Sequence, residues 1–242
     1  MKIIIGRKPV LEALNSGEMI DHVYILFGQK GGIIDAIRIT SKKKGVKCTE
    51  LSDERFFSYT KDKNTQGVIA LKSDQKYFDL NEIISSAKAK PYPLILILDT
   101  IQDPHNLGAI LRTAECAGVD GVIITKHNSA SVNETVVKTS AGASEHLKIY
   151  LANNLSNSIE ELKKNNFWVI GSSLENSKDY RKQDYKIPLA LIVGNEEKGI
   201  RRLTAELCDS LINIPMKGKI QSLNVSVATG ILLFELLKQR EF

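Results

Sequence analysis

Short apolar runs alternate with amphipathic stretches along most of the chain, and that alternation predicts its elements. In the first third, residues 6–14 read as a short helix with Pro9 near its first turn. A β run covers His22 to Phe27, and a helix runs from Ile33 to about Lys44, closing in the cations Lys42, Lys43 and Lys44 that suit its dipole. Val46 to Leu51 reads as a strand, Ser52 caps a helix through Tyr59, and Gly67 to Leu71 is another strand. These elements predict a small α/β unit over residues 1–76. Residues 77–93 are polar, hold a helical piece near Leu80 to Ala89 and end in Pro91-Tyr92-Pro93, which reads as a linker.

From residue 94 the pattern changes scale. Leu94-Ile95-Leu96-Ile97-Leu98, stopped by Asp99, is how a strand buried on both faces reads, and Leu189 to Val193 is a second such run. Between and beyond them the periodicity predicts helices over Asn106–Ala117, Val132–Ser140, Ser156–Asn165 and Arg201–Leu207, and one from Asn224 to about Gln239. Strands fall at Gly121–Ile124, Ile149–Leu151, Trp168–Gly171 and Leu211–Ile214. Repeated β-α units over residues 94–242 predict an α/β domain with a mostly parallel sheet covered on both faces. In such sheets ligands bind at the carboxyl ends of strands. The site is therefore expected at Asp99-Thr100, Gly194-Asn195-Glu196 and Pro215-Met216.

Composition changes the picture at two points. The net charge of +5 is not spread evenly: residues 1–76 carry 14 Lys and Arg against 9 Asp and Glu, and residues 77–242 carry 19 of each. An anionic partner for the first unit fits that asymmetry, as does a solubilising basic face. The contact candidates are Arg7, Lys8, Lys42, Lys43 and Lys44, with Lys61 and Lys63. No apolar run approaches a membrane span, the Met1–Arg7 stretch is too short in apolar residues for a signal peptide, and a cytoplasmic location is expected. Cys48, Cys116 and Cys208 fit neither a disulfide framework nor a metal site, and no metal is expected.

The chain has no GxGxxG after a strand, no P-loop, no nucleophile elbow and no HExxH. Three other segments carry candidate chemistry. In Asp103-Pro104-His105-Asn106-Leu107-Gly108-Ala109-Ile110-Leu111-Arg112, Asn106 is a helix cap or a site residue, and Arg112 is a salt-bridged core cation or one aimed at an anion. In Val193-Gly194-Asn195-Glu196, Gly194 allows close backbone approach where the sheet ends, and Glu196 can orient a ligand; an ordinary turn is the alternative. In Ile214-Pro215-Met216 through Ser222-Leu223-Asn224, a loop with two Lys and one Gly can wrap a flat ligand before a helix rich in small residues, Ser226, Ala228, Thr229 and Gly230.

Together and in this order, these segments resemble the three motifs of the SpoU (TrmH-like) 2′-O-ribose RNA methyltransferases of the SPOUT class, from about Leu94 to the C-terminus. The first third resembles the substrate-binding domain attached to many members, in Ile5–Leu14 and Gln66–Ala70. Thr65 departs from the His usual there and bears on one domain-surface contact. Ile214-Pro215-Met216 and Ser222–Gly230 are most similar to the bacterial subgroup that methylates a guanosine ribose of 23S rRNA; methylation of tRNA, or an assembly factor with an idle site, are the competing readings. The resemblance implies a trefoil knot, a homodimer packed through the first- and third-motif helices, and S-adenosylmethionine as methyl donor. It further implies cofactor contacts from Gly194, Ile214 and Leu223, with Met216 in the same loop. Arg112 takes the family's catalytic position, with Asn106, Glu196, Ser222 and Asn224 around it.

Overall fold

The computed structural model describes residues 2–16, 18–72, 75–195, 198–220 and 222–241. It divides into two compact units, Met1–Gln75 and Lys76–Phe242. In the first, β1 (Lys2–Ile5), α1 (Arg7–Ser16), β2 (Ile20–Leu26), α2 (Gly32–Lys44), β3 (Lys47–Leu51), α3 (Asp53–Tyr59) and β4 (Val68–Lys72) build a four-stranded sheet in the order β1-β4-β2-β3. β4 runs antiparallel to both its neighbours, and β2 and β3 are parallel. Val10, Ala13 and Leu14 of α1 and Ile34 and Ile37 of α2 pack on Val23, Ile25, Val68 and Ala70, the inward-facing half of each strand's alternation. Ser52 precedes α3 as expected but makes no side-chain cap hydrogen bond.

The second unit contains α4 (Leu80–Ala87), β5 (Leu94–Asp99), α5 (Pro104–Cys116), β6 (Gly121–Thr125), α6 (Glu134–Thr139), β7 (Ile149–Ala152), α7 (Leu155–Lys164), β8 (Trp168–Ser172), β9 (Lys178–Asp179), β10 (Leu189–Gly194), α8 (Arg202–Glu206), β11 (Ser210–Asn213) and α9 (Val225–Glu241). Its seven strands lie in the order β7-β6-β5-β10-β8-β11-β9, and every recorded pairing is parallel. The continuous apolar runs follow from burial on both faces. Leu94, Leu96 and Leu98 point towards α5 and α9, and Ile95 and Ile97 towards α4 and α7. Each such side chain taken fully from water contributes about 1.5–3 kcal/mol.

Residues 77–93, expected as a linker, carry α4, and its Ile83, Ile84 and Ala87 are buried in the core of the second unit. The reason lies in a distant residue. A Cβ at Gly121 would sit 2.2 Å from Ile83 Cγ2, so the bare glycine at the start of β6 lets the helix settle onto the sheet. At the other end of the chain, Arg240 donates to the carbonyls of Tyr185 (2.9 Å), Tyr92 (2.8 Å) and Ile187 (3.0 Å), fastening the last turn of α9. Its burial lowers the guanidinium's pKa to about 10.

Candidate functional site

Because the strands are parallel, their carboxyl ends share one edge. β10 lies between β5 and β8, with Gly194 in register with Asp99. Between those two strands the chain visits β6 and β7 on one side and β8 and β9 on the other, so strand order reverses here and leaves a crevice. A cleft of about 960 Å³ opens at this point. Gly194, Ile214, Met216, Ser222 and Leu223 all line it, so four expected cofactor contacts and one expected catalytic residue meet in one cavity.

Local chemistry explains the cleft's shape. A Cβ on Gly194 would lie 2.1 Å from Gly199 C and 2.2 Å from Ile200 N, so the returning backbone crosses directly over the glycine. Asn195 and Gly199 hold that crossing with two backbone hydrogen bonds of 3.0 and 2.8 Å. Ile200, Leu211, Ile214, Leu223 and Val225 give apolar walls, while Asn195, Asn213 and Ser222 bring polar groups. A flat ring flanked by hydrogen-bonding groups suits such a lining, so the residues present fit an adenosyl cofactor. The segment Ser172–Asn176 and α8 complete the walls. Neither was singled out in the sequence; the available signal was that Ser172 ends β8 at the same sheet edge.

Beside the cleft, the first and third motifs touch. Asn224 Nδ2 donates to Asn106 Oδ1 at 2.9 Å, and Asn224 Oδ1 accepts from the Ser226 N–H at 2.9 Å. Asn224 thus caps α9 with one end of its amide and reaches α5 with the other. The cap of α5 is Asp103, whose carboxylate accepts from the His105 N–H at 2.9 Å with Pro104 opening the helix. The capping role open to Asn106 is taken by Asp103, and the Asn106 amide oxygen accepts from Asn224.

Arg112 stands apart from this pair. It lies six residues along α5 from Asn106, which turns it about 120° around the axis. It is exposed, has no hydrogen bond or ion pair among the described residues, and does not line its own chain's cleft. A salt-bridged core cation is therefore not what Arg112 is. Glu196 lies outside the described residues.

In the first unit the expected contact cations separate into two groups. Lys42, Lys43 and Lys44 are exposed at the end of α2, while Arg7 and Lys8 open α1. Arg7 Nη1 lies 3.9 Å from the Cβ position of Gly31, just before α2 begins. The length of α2, about 18 Å, divides the two groups. Arg7 is also engaged internally: its Nε donates to Gln66 O at 2.9 Å and Nη2 donates to Gln29 Oε1. Thr65 is buried, and its Oγ1 accepts from the Gly67 N–H at 3.2 Å. Its hydroxyl shapes the turn into β4.

Among the described residues no cluster of His, Cys, Asp and Glu could hold a metal ion, and no helix is long and apolar enough to cross a membrane. Burial pushes the Cys208 thiol up to about 12, which removes it as a nucleophile.

The geometry defines an α/β protein with a ligand cleft at a strand switch point, joined to a small basic unit. Comparison with known families agrees with this and sharpens it. The model of the SpoU rRNA methylase family matches residues 93–234, and that for RNA 2′-O ribose methyltransferase substrate binding matches residues 3–78. A protein of Staphylococcus saprophyticus named "Putative TrmH family tRNA/rRNA methyltransferase" is 39% identical over 99% of this chain and 96% of its own. Among solved structures, an AdoMet-bound rRNA methyltransferase from Sinorhizobium meliloti aligns with TM-score 0.61 and 28% identity, over 98% of this chain and 86% of that one. A TrmH/SpoU tRNA modifying enzyme of A. aeolicus aligns with TM-score 0.58 and 33% identity, over 67% of this chain and 82% of that one. The chain belongs to the SpoU methylase family and is by class an RNA methyltransferase.

Proposed function

We propose that this protein transfers the methyl group of S-adenosylmethionine to a ribose 2′-hydroxyl in RNA, and that its substrate is a guanosine of 23S rRNA. The observation that carries the reading is the convergence of Gly194, Ile214, Met216, Ser222 and Leu223 on one cleft at the strand switch point. Bound there, the cofactor would supply an electrophilic methyl on a sulfonium. The protein's part is to bring a hydroxyl oxygen in line with that methyl at about 3 Å and hold it there. The Asn106–Asn224 pair fixes the start of α9 against α5 beside the cleft, and in this reading its amides hold the ribose. A guanidinium offers five N–H donors and no acceptor, so Arg112 is a poor base. Its role in this reading is to bind the adjacent phosphate and stabilise the developing alkoxide. Glu196 and Ser222 join the positioning set by their place in the second and third motifs.

The reading includes a homodimer. α9 exposes Val227 and Phe234, seven residues apart, with Ile231 partly exposed between them. An apolar stripe of that period on a helix packed against α5 suits a second copy of the chain. It also includes the trefoil crossing implied by the family, a cytoplasmic location, and RNA contacts from the basic first unit. Lys8 on one side and Lys42, Lys43 and Lys44 on the other give it two separated patches for phosphates. A tRNA substrate is the second reading, favoured by the names of the Staphylococcus and A. aeolicus relatives. A direct test of the cofactor is thermal: S-adenosylmethionine at 100 times its Kd should stabilise the protein by about 2.7 kcal/mol. No stabilisation at any concentration would remove the basis of the reading.

A further inference from the structure

The backbone that crosses Gly194 is anchored from an unexpected side. Asp99, the last residue of β5, is fully buried. Its Oδ1 accepts from Arg201 Nε at 2.7 Å and its Oδ2 from the Arg201 N–H at 3.0 Å. One residue on, the Thr100 carbonyl accepts from Asn195 Nδ2 at 3.3 Å, and Thr100 adopts φ +62°. A β-branched residue in the left-handed region is strained and persists only where its surroundings hold it. Asp99 and Thr100 therefore grip both ends of the crossing, Asn195 at its start and Arg201 at its close, although 102 residues separate Asp99 from Arg201.

A buried carboxylate must be paired, and pairing alone says little about function, since buried ion pairs add little net stability. The placement says more. Ile200, adjacent to Arg201, is buried and lines the cleft, as do Gly199 and Asn195. Arg201 itself does not line the cleft, and its side chain is 51% exposed. It acts on the cleft through its neighbours.

We propose that Asp99 and Arg201 are positioning residues for methyl transfer: the carboxylate–guanidinium clamp holds Gly199 and Ile200 over Gly194 in the shape that binds the cofactor. This rests on the reading of the cleft as the S-adenosylmethionine site.

The test uses full-length protein, with cofactor affinity measured by calorimetry and kinetics measured on rRNA. Arg201→Ala removes a half-exposed side chain. It should raise both the Kd and the KM for S-adenosylmethionine about tenfold or more, because small displacements of a supporting shell are costly in a preorganised site. At saturating cofactor, kcat should stay within about threefold of the parent, while the melting temperature without cofactor should fall, because the buried Asp99 carboxylate keeps only the Arg201 N–H as a partner among the described residues. Arg201→Lys keeps the charge without the Nε–H and should recover only part of the affinity. Asp99→Asn keeps the shape and should show the same selective rise. An unchanged cofactor Kd in these variants overturns the inference, whether or not melting temperature falls, because a merely structural ion pair would behave that way. A fall in kcat with unchanged Kd overturns it too. If the parent protein binds no S-adenosylmethionine, the reading of the cleft fails first and takes this inference with it.

Discussion

Gly194→Ala puts the backbone crossing under the most direct strain. The added Cβ would meet Gly199 C at 2.1 Å, Ile200 N at 2.2 Å and Gly199 O at 2.3 Å. All three are main-chain atoms, so no side-chain rotation relieves the clash and the crossing itself must lift. Overpacking of this kind costs about 1–3 kcal/mol, and backbone opposition puts this case at the upper end, about 3 kcal/mol. For a protein of this size that corresponds to a fall in Tm of about 6–12 °C. The lift also moves Ile200 and Gly199, so cofactor affinity should fall together with stability. Differential scanning calorimetry of the full chain with and without S-adenosylmethionine measures both. Gly230→Ala is the matched control: its Cβ would lie 3.7 Å from Thr113 Cγ2, an ordinary contact inside α9. There the better helix propensity of Ala should add about 0.5–1 kcal/mol. A Gly194→Ala protein with the parent's Tm and cofactor affinity would refute the geometry of the crossing.

Three further outcomes follow from other parts of the molecule. Arg112→Ala should abolish methyl transfer while leaving S-adenosylmethionine affinity within about twofold, since Arg112 does not line its own chain's cleft; Arg112→Lys should also fail if the planar fork matters, and equal loss of transfer and cofactor binding would contradict the assignment. Arg240→Ala strips three carbonyls of their donor at the end of α9 and should cost about 3 kcal/mol, a drop of about 6–12 °C in Tm, with an unchanged Tm counting against the anchor. Burial, with Lys47 as a secondary cause, lowers His22 from 6.5 to about 4 where it stacks on Tyr24. The unfolded chain therefore binds the extra proton between those values, and stability should fall as pH drops from 6.5 towards 4, by about 1–2 kcal/mol once solvent screening is allowed for. Denaturation curves at pH 7 and 4.5 should show a smaller difference for His22→Gln than for the parent; an equal difference would place the pH sensitivity elsewhere.

What the sequence made legible is what local pattern controls. β5 and β10 announce themselves because both faces are buried, which makes every position apolar. The three motif segments were recognisable because strand ends and helix starts carry their own residue signatures. What stayed hidden depends on partners far away in the chain. β1 pairs antiparallel with β4, some 65 residues on, and nothing in Lys2–Ile5 alone distinguishes it from an apolar terminus. The helical piece inside residues 77–93 was legible, but its burial against the sheet depends on a glycine on another strand. The separation of Lys42, Lys43 and Lys44 from Arg7 follows from which ends of α1 and α2 meet, which charge counting does not reveal. One local signal does point to the cap: Pro104 at the first helical position marks Asp103, not Asn106, as the residue that caps α5.

The central claim is methylation of a ribose hydroxyl in RNA, and nucleotide-resolution mapping of 2′-O-methylation tests it most directly. Ribosomal RNA and tRNA lacking the modification would be incubated with full-length protein and S-adenosylmethionine and compared with the same RNA incubated with Arg112→Ala. The account predicts a cofactor-dependent 2′-O-methyl group on a guanosine of 23S rRNA, absent with the variant. A new methyl group on a base, or no ribose methylation in any RNA under conditions where the cofactor binds, would contradict it.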